Sequence, residues 1–449
     1  MNMPVKLAGM LFLVAGSLSA QQRTLTLEEA ISIGLENSRS LHSSRMKAEY
    51  ADAKSGETSA GLYPSLKAQL NYLNLSDIPP SSIELPANSF GPGFPPRNAT
   101  VTIAPVILNN YTAKATFQQP IFTGWKLQGA VDNAEYTANA AHNDFENDRA
   151  GLLLNIKAAY WNVYRALEVK RLTEENVEQM SQHLDDIQNM LRQGMATTNE
   201  VLKTKVQLSN ARVSLSDAEN NVKIAVISLN SIIGLPLNTD ITLGSTLSST
   251  TKVFPAFDQL LSLAIGRRPD IQGMEWRIKA AEAGIKSAEG GWLPQLYLTG
   301  NYYYSQPNQR FFPPLDQFKD TWDVGLNLQF DIWNNLTTLR QTSEAKAQYE
   351  QAKDGLAVLK DGITLEVTQS YLNFRQAKEK IDLARLSVEQ AEENLRVTHE
   401  KFKAGLTTNS ELLDAEVARH QAQLQLVQSQ VDSELSEAML EKAIGEGKQ

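Results

Sequence analysis

The chain has 449 residues, a formal net charge of −9 and no cysteine. The acidic balance argues against a nucleic-acid binder, which usually carries a basic face. The missing cysteine excludes disulfides, thiolate metal sites, a cysteine nucleophile and a lipidated cysteine after an export signal.

In chain order, Lys6, the apolar run Leu7–Gly16 and a small-x-small pattern ending at Ala20 read as an export signal over residues 1–20. That run is about half of the ~20 apolar residues a membrane-spanning helix needs, and no later run comes close. An exported chain without such a helix is periplasmic, secreted or an outer-membrane β-barrel.

Self-similarity covers nearly everything that follows. Ala60–Leu66 (AGLYPSL) matches Gly290–Leu296 (GGWLPQL), a shift of 230 residues, and the same shift pairs Ile31 with Leu261 and Asp52 with Glu282. Gln118–Phe122 (QQPIF) then matches Gln329–Trp333 (QFDIW) at a shift of 211, which also pairs Tyr160 with Tyr371, Gly194 with Gly405, Glu200 with Glu411 and Gly234 with Gly445. The length difference falls between Leu66 and Gln118, where Ser76–Thr100 is rich in Pro, Gly and Ser, as loops are. This gives a first repeat over 21–237 with a long loop at 76–110, a linker at 238–257, and a second repeat over 258–449 with its loop at 305–320.

Within each repeat, the segments flanking the loop alternate with period two. Leu66, Ala68, Leu70 and Tyr72 share one face, as do Tyr111, Ala113, Ala115 and Phe117, then Leu296, Leu298, Tyr302 and Tyr304, and finally Trp322, Val324, Leu326, Leu328 and Phe330. At about ten residues each, these four strands have the length and pattern of membrane-crossing barrel strands. Four strands cannot close a barrel, and an open edge in lipid leaves backbone groups unpaired. A spanning chain must therefore oligomerise, and strand count alone allows a dimer or a trimer.

After the strands come proline-free helical runs at about 123–193 and 334–404, with apolar residues spaced three and four apart as in a coiled-coil seam. Seventy residues at 1.5 Å each make a helix about 100 Å long. Gly194 and Gly405 stop these helices. Thr197–Glu200 and Thr408–Glu411 restart them as capping boxes, which turns each run into a helical hairpin with its turn near 194–198 or 405–409.

Leu263–Leu296, with its Arg-Pro-Asp and Gly-x-x-Pro signatures, its counterpart Leu25–Leu41 and the duplicated layout resemble the TolC-like outer-membrane efflux protein family. The resemblance covers almost all of the chain after residue 20. It implies a mixed α/β membrane protein: a homotrimer whose twelve-stranded transmembrane β-barrel, four strands from each chain, continues into a long periplasmic α-helical coiled-coil barrel closed at its tip. It also implies an outer-membrane exit duct for drugs, small molecules or secreted polypeptides, as in multidrug efflux or type I secretion. The partners would be outer-membrane lipid, a periplasmic adaptor (membrane fusion protein) and an inner-membrane transporter of the RND or ABC type. Carried over by position, the constriction falls on Glu411 and Asp414, with Glu200 and Lys203 as first-repeat equivalents and Thr407 and Phe402 beside them. The adaptor-docking turns fall on Gly194, Met195, Ala196, Gly405 and Leu406. Some well-known members have an arginine where this chain has Thr407, so in a latch of that kind Thr407, Thr408 or Asn409 hydrogen bonds, or packing by Phe402, would have to substitute.

An enzyme is not favoured. The five histidines are scattered, with no metal-ligand spacing, and no nucleophile elbow or phosphate loop appears. No cofactor, metal site or nucleic-acid partner is expected. The stronger rival is a soluble periplasmic coiled-coil scaffold or adaptor, which accounts for the helices but not for four alternating strands.

Overall fold

The computed structural model describes residues 23–245, 247, 252–333 and 335–446, so the expected export signal lies outside the described residues. Arg23–Leu25 (β1) leads into the short helices Leu27–Asn37 (α1) and Arg39–Ala60 (α2), then into Ser65–Asn74 (β2). The stretch read as one long loop contains a hairpin of its own, Ser81–Leu85 (β3) with Ala99–Ala104 (β4). Ile83, Thr100, Val101 and Thr102 favour extended backbone there, between the proline and glycine clusters. Asn109–Phe122 (β5) is followed by the 67-residue helix Lys126–Arg192 (α3) and by Thr198–Ile233 (α4). The expected linker holds Ile241–Leu243 (β6), which pairs parallel with β1. The second half runs through Phe257–Arg267 (α5), Pro269–Glu289 (α6), Gln295–Gln306 (β7), Lys319–Gln329 (β8), the 69-residue Asn335–Lys403 (α7) and Asn409–Ala443 (α8).

These elements form two compact units, each drawing on both halves of the chain. One holds Met46–Asn143 and Gln272–Val358, and its centre is an antiparallel sheet in the order β2-β5-β7-β8. The register sets Leu66 opposite Phe117 and Ala68 opposite Ala115, then Ala115 opposite Tyr302 and Tyr302 opposite Trp322. One face is thus apolar across the strands, because side chains directly opposite each other lie on the same side. Leu66, Leu70, Trp322, Val324, Leu326 and Leu328 are all exposed on it. The ladder between β5 and β7 shifts at Pro120, which has no N–H to donate. The glycine immediately before the Gly-x-x-Pro signature (Gly291–Pro294) has a steric basis. A Cβ on Gly290 would sit 2.6 Å from the carbonyl oxygen of Gly124 and 2.8 Å from the nitrogen of Lys126, a backbone approach that only glycine permits.

The other unit comprises the chain up to Arg45, Asp144–Ile271 and the chain from Leu359 onward. Its core gathers Leu25, Ile156, Tyr160, Trp161, Leu229, Ile233 and Val431. Tyr160 is fully buried, and its hydroxyl donates to the carbonyl of Leu25 (3.0 Å) while accepting from the backbone N–H of Ser245 (3.0 Å). Burying the ring with its polar end satisfied anchors β1 and β6 to α3. The Arg-Pro-Asp signature clasps helix ends. The buried Arg268 makes a two-pronged bond to Asp270 (3.1 and 2.7 Å), reaches Glu366 of α7 (2.7 Å) and donates to the carbonyl of Ala443 at the end of α8 (3.1 Å). A guanidinium suits this place because one planar group serves carboxylates and a helix C-terminus together.

Two helices keep apolar stripes uncovered. On α4 these are Leu202, Val206, Val213, Ile224 and Ile227, and on the α7 segment of this unit Leu365, Leu372, Leu383 and Leu386. The spacings, mostly combinations of three and four, place each set along one side of its helix.

Candidate functional site

The site is built where α3 turns into α4 and α7 into α8. Both turns stop the first helix in the same way. The N–H of Met195 bonds to Met190 O (2.9 Å) and that of Gly194 to Leu191 O (3.0 Å), while Leu406 bonds to Lys401 O (2.9 Å) and Gly405 to Phe402 O (3.0 Å). This pair of bonds requires a left-handed residue, and Gly194 and Gly405 have φ of 77° and 73°. A Cβ on either would meet open space, so backbone conformation alone calls for glycine. Met195 and Leu406, the residues after them, are exposed.

Both second helices begin with a complete capping box. Thr197 Oγ1 accepts from Glu200 N–H (3.3 Å) while the Glu200 carboxylate accepts from Thr197 N–H (2.6 Å). Thr408 and Glu411 do the same at 3.3 and 3.1 Å, and the Thr407 hydroxyl also donates to Glu411. The hydrogen bonds from the backbone and then the side chain of Thr197 hold the Glu200 carboxyl below the usual carboxylate range. Thr407 thus binds the capping carboxylate of its own turn. Asp414 is exposed one helical turn on.

Between the turns the structure joins residues that spacing did not bring together. Asn409 is 1% exposed. Its Oδ1 lies 2.7 Å from His183 Nε2, which must be the donor, and its Nδ2 donates to Thr204 Oγ1 (3.2 Å). Thr204 in turn donates to the carbonyl of Glu200 (3.0 Å). Phe402 packs on the His183 ring with centroids 6.0 Å apart, and Lys203 Nζ donates to Ser410 Oγ (3.2 Å). One polar chain therefore joins α3, α4 and α8, and Phe402 of α7 packs against it. Burial holds the His183 imidazole below its usual range, so it is neutral near pH 7.

Two turns further along α8, Glu416 is 5% exposed. One carboxyl oxygen accepts from Gln179 Nε2 (3.2 Å), and the other has no partner among the described residues. Arg419 donates to Gln179 Oε1 (2.6 Å) and leaves its own Nε unpartnered. Burial pushes the Glu416 carboxyl up to about 7. A cavity of about 430 Å³ opens beside these groups, bordered also by Asp186, Glu392, Arg396 and His399. No group of three His, Asp or Glu side chains among the described residues could hold a metal ion.

His183, Thr204 and Glu416 escaped the sequence reading, which named Asn409 only as one of several hydrogen-bonding candidates for the latch. A lone histidine and one carboxylate among many carry no spacing signal. The only hint was that Glu416 falls on the α8 face shared by Leu412, Leu413 and Ala415.

Comparison with known proteins bears on this arrangement. A family described as outer membrane efflux protein matches residues 30–235 and 260–446. Outer membrane efflux protein BepC of Brucella suis is 24% identical over 336 residues, covering 74% of this chain and 72% of its own length. Outer membrane protein TolC of Escherichia coli is 22% identical over 348 residues, covering 75% and 70%. Among solved structures, the Campylobacter jejuni CmeC outer membrane channel superposes with a TM-score of 0.76 at 16% identity, covering 100% of this chain and 94% of that one.

Proposed function

Since the chain belongs to the outer membrane efflux protein family, an outer-membrane protein with a periplasmic extension, we propose that three copies form the exit duct of a periplasm-spanning pump. One observation carries the assembly. The four-stranded sheet is apolar on one exposed face, and its outer strands β2 and β8 have no further partner among the described residues. In lipid such edges must be paired, and three sheets supply the twelve strands that the family resemblance implies. The uncovered stripes on α4 and α7 support the same reading, since association of copies would bury them as a continuous helical wall.

In this reading the tip is the gate. Glu411 and Asp414 from three copies form rings that attract cations, with Glu200, Thr407 and Phe402 as neighbours in the constriction. The exposed turns Gly194–Met195–Ala196 and Gly405–Leu406 receive the periplasmic adaptor. The adaptor and an inner-membrane transporter bring drugs, small molecules or polypeptides to the duct and provide the energy.

The test is the detergent-purified protein in a planar bilayer. A trimer by mass with discrete conductance is expected, and Glu411→Gln with Asp414→Asn lowers its cation preference. Recovery as a soluble periplasmic monomer would sink the duct in favour of a scaffold, and unchanged selectivity would remove the two carboxylates from the constriction.

A further inference from the structure

The polar face of the sheet carries a charge pattern of its own. The register lines up Lys67, Thr116, Asn301 and Asp323 across the four strands. The next rung holds Gln69, Lys114, Tyr303 and Thr321, and the one after it Asn71, Thr112, Ser305 and Lys319. Each of these three successive rungs has one lysine, and together they have one carboxylate, Asp323. That carboxylate is already engaged. It accepts from Asn301 Nδ2 (2.7 Å) and pairs with Arg310, which reaches in from the segment between β7 and β8 and also donates to Trp322 O (3.1 Å). Arg310 lies over the Tyr303 ring at 4.9 Å, and Lys114 Nζ lies over the same ring at 5.2 Å. In the opposite direction the next rungs, Ser65-Gln118-Thr299-Gly325 and then Tyr297-Asn327, carry no charge.

With Arg310 matched to Asp323, Lys67, Lys114 and Lys319 remain as the excess charge of this face. Of the three, Lys114 lies over an aromatic ring and close enough to Asp323 to interact with its charge, which one carboxylate shared with Arg310 does not neutralise. The chain as a whole is acidic at −9, so composition does not explain a cationic face. Lysines serving solubility alone would be interspersed with carboxylates, as on the helices, where Lys54–Glu57, Lys353–Glu350 and Arg396–Glu393 pair locally. Spacing by two residues along the strands, about 7 Å per rung, instead produces a continuous belt.

We propose that this belt is an anion-attracting lining, so that the strand segment favours small organic anions bearing carboxylate, sulfonate or phosphate groups. The inference rests on the duct reading, in which the apolar face meets lipid and the polar face lines the pore. Three copies then set nine lysines around one lumen, walled by low-dielectric material that focuses their field. The acidic rings proposed for the tip disfavour the same species, so the duct has two charge filters of opposite sign.

The experiment uses purified full-length channels in a planar bilayer at low salt, with inositol hexakisphosphate as the probe, added to either side. Conductance blocked by the polyanion from the strand side is expected. Lys67→Gln, Lys114→Gln and Lys319→Gln together should raise the half-blocking concentration about tenfold or more. Replacing the same three by arginine should keep the block, and Glu411→Gln with Asp414→Asn should leave it in place. If the triple glutamine variant does not assemble, the three single variants are read instead, each giving a partial rise. Conducting channels that are not blocked, or are blocked equally with and without the lysines, overturn the lining while the duct stands. Absence of any conductance in the wild type overturns the duct, and the lining with it.

Discussion

Leu202 and Leu413 hold matched positions in the two turns, yet Leu202 is 54% exposed and Leu413 is 5% exposed. The backbones around them are alike, with the same glycine stop, the same pair of carbonyl bonds and the same threonine–glutamate cap. Three positions further on, Lys205 is exposed where Glu416 is buried, and at the first residue of each helix Thr198 is exposed where Asn409 is buried. The second turn packs α8 into α3 and α4, whereas the first leaves one side of α4 uncovered. Matched sequence thus reproduces the local turn, while burial depends on which side of the helix has a neighbour.

The largest effect that would test this contrast comes from trimming each leucine. Leu413→Ala removes buried side chain beside Met180, Leu208 and Ala211 and costs about 2–5 kcal/mol, seen as a lower thermal midpoint at every protein concentration. Leu202→Ala costs less than about 0.5 kcal/mol in the single chain. If copies bury the α4 stripe, its midpoint falls in a concentration-dependent way. Equal losses, independent of concentration, would erase the distinction between the two turns.

A somewhat smaller effect follows from Glu416. Its carboxyl titrates at about 7 in the folded chain against about 4.3 when unfolded, so the folded state binds the proton more tightly. This contribution is complete below about pH 4.3 and is lost as pH rises through 7, on the order of 4 kcal/mol at about 1.4 kcal/mol per tenfold change in proton affinity. Glu416→Gln should therefore be more stable than wild type at pH 8, with the advantage gone near pH 4. The buried His183 and half-buried His420 are held low and work in the opposite sense, favouring the folded state above about pH 6.5, so the difference between wild type and variant isolates the carboxyl. Lys205→Gln at the matched exposed position should leave the pH profile unchanged.

The smallest effect should be the same in both turns. Thr197→Ala and Thr408→Ala each remove a cap worth about 1 kcal/mol, measurable as faster amide exchange in the first turn of α4 and of α8. A clearly larger loss at Thr408 would mean that this cap also holds the buried Asn409 in place.

The local rules of the chain were readable in its sequence. Alternation marked four strands and the apolar face they share, since pleating alone sends successive side chains to opposite sides. Glycine followed by a threonine–glutamate pair marked both helical turns, because those bonds form within a few residues. The β3–β4 hairpin was hidden by the prolines around it, and β6 by its dependence on β1, more than two hundred residues away. The same distance in sequence hid the polar chain at the tip. His183 and Asn409 are 226 residues apart, and Glu416 differs from the chain's other carboxylates only in being buried. Local pattern was enough for the long helices, the four sheet strands, the two helical turns and the family. Tertiary packing decided which side of each helix is covered, which carboxylate loses its water and which lysines stand in one row, because these depend on neighbours that no local pattern names.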